Sequence, residues 1–416
     1  MFKETTSANP PILAPGILAT AETCVETRTR QETASVLFVD QSGQLGGAEF
    51  SLMPLAATWD ARREVLLLSD GPFRERLESL GVPVSLACEA SVSGIRKDTL
   101  RLHWLGALPG IVRQVRAIAR HAEHFDILFL NTQKALVLGA LGKPLHRKPI
   151  VWHLHDIMSS EHFGPLQRIV VRWLTRHAVD HVIANSRASA DSLVALARCA
   201  PENVPVVHNG VDLDEFRCES APDMAGLRRQ FGLPENVYLA GLFGRLAPWK
   251  GQHIALEALA RVPDLHLVLV GSALFGEQEY VKSLHAQAAR LGVQDRLIFA
   301  GFRDDMPAWM KAVDVILHTS TEPEPFGRVI IEGMAAGRPV IAAAAGGVTE
   351  ILRHRTNGWL VPPRDVTALA DAIEVLRAAP EMANRLAAQA LDDVAQRFSV
   401  GAYLDQMKRV IAGTSG

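Results

Sequence analysis

Two glutamates flank a segment that is expected to begin a helix near residue 327. Glu324 lies in a Pro-containing loop, and Glu332 lies inside the apolar helical pattern that follows Gly327, about a turn and a half later. Free N–H groups and the positive end of the helix dipole at Gly327 and Arg328 favour a phosphate. We therefore expect the two carboxylates to contact different parts of one phosphate-bearing ligand. Taken alone, such a pair is more often a solvated loop residue and an exposed helix charge.

Two cations stand close together in a second loop that follows an apolar run. Arg245 and Lys250 occupy the Gly- and Pro-bounded segment 244–251, directly after a predicted strand at 237–243. At a strand end, both side chains can converge on one diphosphate through charge-assisted hydrogen bonds. An ordinary strand-to-helix turn with surface cations has the same composition, so this loop alone is a weak signal.

The amino-terminal half contributes a histidine-bearing strand end and a glycine pair. His153 and His155 lie at the end of an apolar run, and strand alternation puts both on one face, so the pattern does not choose between them. Gly46 and Gly47 form a loop after the first apolar run, where the missing Cβ lets the backbone approach a ligand. A core histidine and a ligand-free Gly-Gly turn are the alternatives for these residues.

Short apolar runs alternate with helical patterns from residue 35 onward. The runs are apolar at nearly every position, which is typical of parallel strands buried on both faces of a sheet. Helical patterns such as 109–121 and 165–177 each open with a proline and would cover that sheet. Strands are predicted at 35–40, 64–69, 82–86, 126–130, 149–154, 180–184 and 205–208, and again at 237–243, 265–270, 297–300, 314–319, 339–342 and 359–361.

This alternation predicts an α/β protein with two Rossmann-like, doubly wound domains that face each other across a cleft. Residues 1–33 are expected to be a disordered leader and residues 34–208 the first domain. A linker at 209–232 leads to a second domain at 233–396, and a helix at about 397–416 is expected to pack back on the first domain. Ligands of such sheets bind beyond the carboxyl ends of the strands, so chemistry is expected there.

Composition excludes several classes of protein. The 416 residues are 48% hydrophobic and include 43 Lys and Arg against 45 Asp and Glu, so no global field attracts nucleic acid. No apolar run reaches the roughly 20 residues of a membrane-spanning helix. The four cysteines form no CxxC pair, which argues against a zinc site or a disulfide framework and favours a reducing cytoplasm.

Taken together and in order, the motifs resemble the retaining glycosyltransferases of family 4, which have the GT-B fold. The resemblance covers roughly residues 35–410. It implies transfer of a sugar from a nucleoside diphosphate sugar to a hydroxyl acceptor, with retention of anomeric configuration. The motifs that carry it are Gly-Arg-Leu-(x)3-Lys-Gly at 244–251, Leu-Val-Gly-Ser at 269–272, the stretch 301–320, Glu-(x)7-Glu at 324–332 (the EX7E motif), 339–347, the linker phrase at 209–216 and Gly-Gly-Ala-Glu at 46–49.

The resemblance also implies roles for single residues. Arg245 and Lys250 resemble the pair that neutralises the donor diphosphate, and Glu332 resembles the carboxylate that binds the ribose hydroxyls. Glu324 resembles the residue that contacts hydroxyls of the donor sugar, and it need not act as a covalent nucleophile. The other donor-binding positions implied are Gly46, Gly47, Phe326, Gly327, Arg328 and Val329, with residues 301–306 beside the nucleobase.

The resemblance selects His155 rather than His153. The family carries a histidine followed by an aspartate at this strand end, as His155 and Asp156 do here. His155 is therefore expected to reach the donor sugar. The predicted catalytic set is Glu324, His155, Arg245 and Lys250.

No metal or other cofactor is expected. Arg245, Lys250 and the helix start at Gly327 can offset the charge of the departing diphosphate. Asp212 and Asp214 form an Asp-x-Asp, the metal-binding pattern of other glycosyltransferases, but their place in the linker phrase argues against that role.

The expected acceptor is a carbohydrate or a lipid-linked sugar, in polysaccharide or glycoconjugate assembly. A basic helical face with Arg113, Arg116 and Arg120, within the segment 100–121, predicts either an ordinary surface helix or peripheral contact with the inner face of an anionic membrane. Two other classes compete with a transferase, namely a nucleotide-sugar epimerase of the same architecture and a noncatalytic sugar-nucleotide-binding module. The epimerase would need acid and base groups beside the sugar ring.

Overall fold

A computed structural model describes residues 34–87, 104–217, 224–273 and 276–415. The predicted leader at 1–33 lies outside the described residues, as do residues 100–103 of the predicted basic segment.

The first sheet has six parallel strands in the order β3-β2-β1-β4-β5-β6. Its strands are β1 (Val36–Asp40), β2 (Arg63–Leu67), β3 (Val84–Leu86), β4 (Ile127–Leu130), β5 (Ile150–Leu154) and β6 (His181–Ala184). The helices around it are α1 (Gly47–Ala57), α2 (Pro72–Ser79), α3 (Trp104–Ala122), α4 (Gln133–Leu141), α5 (Lys143–His146), α6 (Pro165–His177) and α7 (Arg187–Ala197).

The second sheet repeats this topology. Read from its β9 edge, its order is β9-β8-β7-β10-β11-β12, which equals that of the first sheet when strands are counted from β7. Its strands are β7 (Tyr238–Phe243), β8 (Leu265–Val270), β9 (Leu297–Gly301), β10 (Val315–His318), β11 (Val340–Ala343) and β12 (Trp359–Val361). The helices around it are α8 (Met224–Phe231), α9 (Gln252–Arg261), α10 (Gln278–Leu291), α11 (Met306–Lys311), α12 (Arg328–Ala335), α13 (Val348–Ile351), α14 (Val366–Ala378) and α15 (Pro380–Arg397). The last helix of the chain is α16 (Val400–Ala412).

Two doubly wound parallel sheets with flanking helices confirm the predicted fold class. Every residue of β1, β4 and β5 is buried, which explains why these strands are apolar apart from Asp40 and His153. The last helix, α16, packs against the first sheet's helices, where the Tyr403 hydroxyl donates a 3.0 Å hydrogen bond to the Ser51 carbonyl. In the described part of the chain, no helix is both long and apolar enough to cross a membrane.

Two local predictions are wrong. Residues 205–208 form no strand, and only Val206 bridges Ala184 at the sheet edge. Pro205 has no N–H to extend the ladder, and His208 turns its ring toward Glu350, 2.9 Å away.

The proline at 109 does not open α3, which begins five residues earlier. Pro109 is instead the sixth residue of α3, so the Leu105 carbonyl four residues earlier lacks the N–H that would normally bond to it.

Candidate active site

The carboxyl ends of the two sheets meet around Arg328, the first residue of α12. Its guanidinium donates a 3.1 Å hydrogen bond to the carbonyl of Gly210 in the connecting segment. A Cβ added to Gly47, at the first sheet, would lie 3.7 Å from the Arg328 Cδ. His162 Nε2 lies 2.8 Å from the Glu322 Oε2 and joins the two sheets at a second point. Predicted site residues from both halves of the chain are therefore close neighbours.

Lys250 and Glu324 form the charged centre of the second sheet's edge. Lys250 Nζ lies 2.9 Å from both carboxylate oxygens of Glu324. The Ser320 hydroxyl donates to Glu324 Oε2 over 2.9 Å, and His318 Nε2 lies 3.2 Å from the same oxygen. Burial alone would raise the pKa of Glu324, but the charge of Lys250 and the His318 contact hold it well below its ordinary range. Glu324 is therefore an ionised carboxylate at neutral pH.

Gly251 fixes the loop that carries Lys250. Its φ is +70°, and a Cβ at this position would lie 2.0 Å from the Thr319 carbonyl oxygen. The Thr319 hydroxyl bonds the carbonyls of Lys250 and Gly251 at 3.0 and 2.9 Å. These contacts hold the Lys250 backbone against the end of β10, next to the loop that carries Glu324.

Arg245 and Lys250 both lie against the ring of Trp249. The Lys250 Nζ is 4.1 Å from the ring centroid, and the Arg245 guanidinium carbon is 5.8 Å from it. Arg245 Nε also lies 3.5 Å from Glu277 Oε2. The structure thus brings the two predicted diphosphate-binding cations to one aromatic side chain, and each has a carboxylate neighbour.

The helix start that was predicted to bind phosphate is the amino terminus of α12. Gly327 is the N-cap, with a φ of +99° in the left-handed region, and Arg328 and Val329 form the first turn. Glu332 is one turn further, where its Oε1 accepts a 3.1 Å hydrogen bond from Arg328. Phe326 is 2% exposed and packs in the hydrophobic core, so its side chain does not contact a ligand.

The glycine pair differs from the sequence expectation. Gly46 is the N-cap of α1 and Gly47 is its first helical residue, so the two do not form a free loop. Gly46 has an extended φ of −144° that any residue adopts.

Two buried carboxyl groups lie near the glycine pair. Burial raises the pKa of Asp40 to about 6, and burial together with the charge of Asp40 raises that of Glu49 to about 8.

His155 directly follows β5, and its Nε2 lies 3.1 Å from the Asn131 Oδ1. Burial and the charge of Arg328 lower the pKa of His155 to about 3, so its ring is neutral at physiological pH. The ring of His153 lies on the same side, 3.9 Å from that of His155, as strand alternation predicts. His153 is fully buried, and neither of its nitrogens has a hydrogen-bond partner among the described residues. His155, not His153, is therefore the partly exposed histidine at this edge.

Sequence reasoning missed several residues of this arrangement. Asp40, Asn131 and His318 all lie at the carboxyl ends of predicted strands, so the rule that ligands bind beyond strand ends could have marked them. Ser320 follows the same strand as His318. Trp249 stands between the two predicted cations, but nothing in its spacing predicted that both would contact its ring.

Two facing parallel sheets, with cations and carboxylates gathered at their carboxyl ends, define a protein of the GT-B class. Residues 45–215 match the family Glycosyltransferase Family 4, and residues 223–393 match the family Glycosyl transferases group 1. The chain belongs to this family of glycosyltransferases, and it is a transferase.

Individual relatives agree with this assignment. Crystal structures of Anabaena HepE include one in complex with UDP-glucose. That chain is 39% identical, with a TM-score of 0.84 over 91% of this chain and 100% of HepE. A D-inositol 3-phosphate glycosyltransferase of Stackebrandtia nassauensis is 30% identical over 80% of this chain and 79% of its own length. A glycosyltransferase of Rickettsia africae, 19% identical with a TM-score of 0.76 over 92% of this chain and 99% of its own, shares the fold.

Proposed function

We propose that this protein transfers a hexose from a UDP-sugar, with UDP-glucose the first donor to test, to a hydroxyl of a carbohydrate or lipid-linked acceptor. The observation that carries this proposal is the ionised Glu324, held by Lys250 next to the amino terminus of α12. Similarity to HepE, which has been crystallised with UDP-glucose and with UDP and glucose, supports the choice of donor. Phe302, 56% exposed after β9, offers an aromatic face to a base in the predicted nucleobase segment.

The proposed reaction places negative charge on the departing diphosphate. Arg245, Lys250 and the N–H groups at the start of α12 would stabilise that charge. Glu324 is ionised and cannot protonate the leaving group, so its role would be to accept hydrogen bonds from sugar hydroxyls. We propose that the acceptor attacks on the face that the diphosphate leaves. A phosphate oxygen would take the acceptor proton, and the anomeric configuration would be retained.

We also propose that no metal takes part. The linker aspartates support this proposal, because both are engaged locally. Asp212 Oδ1 accepts a 2.9 Å hydrogen bond from the Asp214 N–H, and Asp214 pairs with Arg217 at 2.7 Å. That geometry is an exposed turn rather than a converging pair of carboxylates.

Two measurements test the transferase. The protein is incubated with a panel of labelled nucleotide sugars and with carbohydrate acceptors, and released UDP and glycosylated product are quantified. The anomeric configuration of the product is then read by NMR coupling constants. Acceptor-dependent UDP release with a retained product supports the proposal. Interconversion of two nucleotide sugars would favour the epimerase, and binding without any turnover would favour the noncatalytic module.

We further propose that the first domain contacts an anionic membrane surface in glycoconjugate assembly. Exposed apolar side chains line α6, where Leu166, Ile169 and Trp173 are 57%, 58% and 57% exposed at helical spacing. Helices α3, α4, α5 and α6 are neighbours, and Leu145 on α5 is 60% exposed. Segments 104–122, 133–148 and 164–177 contain no Asp or Glu, so all their Lys and Arg charges are positive. These basic residues are Arg113, Arg116, Arg120, Lys134, Lys143, Arg147, Lys148, Arg168, Arg172 and Arg176.

Vesicle sedimentation tests this contact. The protein is expected to sediment with vesicles of phosphatidylcholine and phosphatidylglycerol and to remain free with phosphatidylcholine alone. Ile169→Ser with Trp173→Ser should release it, whereas Val375→Ser with Leu391→Ser, exposed apolar residues of the second domain, should not. Equal partitioning of the wild type to both vesicle types would contradict the proposal.

A further inference from the structure

Three neighbouring strand ends carry a chain of hydrogen-bonded side chains that the proposed reaction does not yet use. Asp40 ends β1, Asn131 directly follows β4 and His155 directly follows β5, and these strands are adjacent in the sheet. Asn131 Nδ2 donates to Asp40 Oδ2 over 2.7 Å, and Asn131 Oδ1 lies 3.1 Å from His155 Nε2. Asp40 and Asn131 are fully buried, so this chain is part of the packed interior and ends at the cleft.

The orientation of the Asn131 amide follows from its partners. Its Nδ2 group has two hydrogens, and two acceptors face it, Asp40 Oδ2 and the Ala48 carbonyl oxygen at 3.1 Å. A flipped amide would place its oxygen against both acceptors and lose both hydrogen bonds. Asn131 Oδ1 must therefore face His155, and an amide oxygen can only accept. The hydrogen of the neutral imidazole is consequently on Nε2.

The ring of His155 is also fixed from a second side. The His153 ring lies 3.9 Å away at 55°, and it packs in turn against Phe129 at 5.8 Å. His155 Nδ1 makes no hydrogen bond within the described residues, and it is not among the buried unpaired atoms of that part of the chain. It therefore holds a lone pair that a ligand can reach.

We propose that Asn131, anchored by Asp40, is a positioning residue that holds His155 as the Nε2–H tautomer, so that His155 Nδ1 accepts a hydrogen bond from a hydroxyl of the donor sugar. The assignment of a sugar hydroxyl as the partner of Nδ1 rests on the proposed function, whereas the assignment of the tautomer does not. A positively charged or Nδ1-protonated ring would present a donor to the cleft and would not accept from a hydroxyl. Asp40 acts on His155 only through Asn131, because its ionised carboxylate can only accept from the amide and so prevents the flip.

The tautomer is measured first, on the unmodified protein. Histidine side-chain ¹⁵N NMR gives distinct shifts for protonated and unprotonated ring nitrogens, and the His155 signal is identified by its loss in His155→Gln. We expect a protonated Nε2 and an unprotonated Nδ1. The opposite assignment, or a mixture of tautomers, would overturn the proposal whether or not the protein transfers sugar.

Kinetics then test the role. Asn131→Ala is expected to lower kcat with UDP-glucose by about tenfold to hundredfold, the range for loss of a residue that orients a ligand's partner, with a smaller change in KM. In a His155→Ala background the same substitution should cost less than about threefold, because the group that it orients is already gone. Asn185→Ala is the control, since Asn185 is a buried asparagine after β6 that bonds Ser189.

The outcomes separate the alternatives. If Asn131→Ala lowers kcat by the same factor with and without His155, Asn131 is only structural and the proposal fails. The proposal also fails if Asn185→Ala lowers kcat as much as Asn131→Ala at equal loss of Tm. If no nucleotide sugar in the panel is turned over, the proposed function fails, and the NMR measurement still decides the tautomer.

Discussion

The Nζ of Lys250 lies 2.9 Å from both carboxylate oxygens of Glu324, although 74 residues separate them in the chain. Both side chains are mostly buried, so their charges attract each other with little screening. A donor diphosphate bound at the start of α12 would therefore have to share Lys250 with Glu324. The same ion pair would hold the sugar-contacting carboxylate ready before the donor arrives.

Removing either cation of the predicted diphosphate pair should slow turnover strongly. Arg245→Ala and Lys250→Ala are each expected to lower kcat by about a hundredfold, corresponding to roughly 3 kcal/mol of lost leaving-group stabilisation. The Tm of Lys250→Ala should also fall, because the buried Glu324 loses its partner. The measurement is kcat and Tm for each variant.

Lys282→Ala provides the matched control for the cations. Lys282 is 71% exposed and pairs with Glu279 on the same helix, outside the candidate site. It should keep wild-type turnover and Tm. Near-normal kcat in Arg245→Ala or Lys250→Ala would remove that residue from the diphosphate site.

Glu332→Ala should weaken donor binding rather than slow the chemical step. Contacts to ribose hydroxyls are equal in the ground and transition states, so their loss raises KM and leaves kcat largely unchanged. A lost hydrogen bond to a charged group predicts an increase of about tenfold in the donor Kd, which calorimetry measures. Glu374→Ala, which removes another helical carboxylate paired with an arginine, should leave the donor Kd unchanged. An unchanged donor KM and Kd in Glu332→Ala would refute the ribose role.

The sequence predicted the fold well because strands buried on both faces read as continuous apolar runs, and twelve of these runs became strands of the two sheets. It could not predict the partners of the site residues. Periodicity places Lys250 and Glu324 at strand ends, but the contact between them depends on the close approach of Gly251 to Thr319. The fixed orientation of Asn131 likewise depends on acceptors from β1 and α1, far apart in the sequence. The start of α3 was predicted wrongly because proline usually marks the first turn of a helix, whereas Pro109 lies inside this one.

Metal removal tests the proposed leaving-group chemistry. If Arg245, Lys250 and the start of α12 carry the diphosphate charge, excess EDTA should leave transfer activity essentially intact. Added Mn²⁺ or Mg²⁺ should not rescue either cation-deleted variant. Activity that EDTA abolishes and a divalent cation restores would overturn this chemistry, and Asp212→Asn with Asp214→Asn would then test whether the linker aspartates hold that ion.

Glu49 should make the protein less stable as the pH rises. Its pKa is raised from an ordinary value of 4.5 to about 8 by burial and by the charge of Asp40. A carboxyl group whose folded pKa is raised contributes stability that is fully present below its unfolded pKa, near 4.5, and is lost as the pH rises through about 8.

Glu49→Gln keeps the shape of the neutral acid and cannot ionise. It should lie within about 1 kcal/mol of the wild type at pH 5 and exceed its free energy of unfolding by roughly 4 to 5 kcal/mol near pH 8.5, which is a gain of several degrees in Tm. Glu279→Gln, at a carboxylate whose side chain is 82% exposed, serves as the control and should show no such gain. Thermal unfolding of the three proteins between pH 5 and 9 gives the answer, and a Glu49→Gln curve that follows the wild type at every pH would show that Glu49 is not held neutral by its burial.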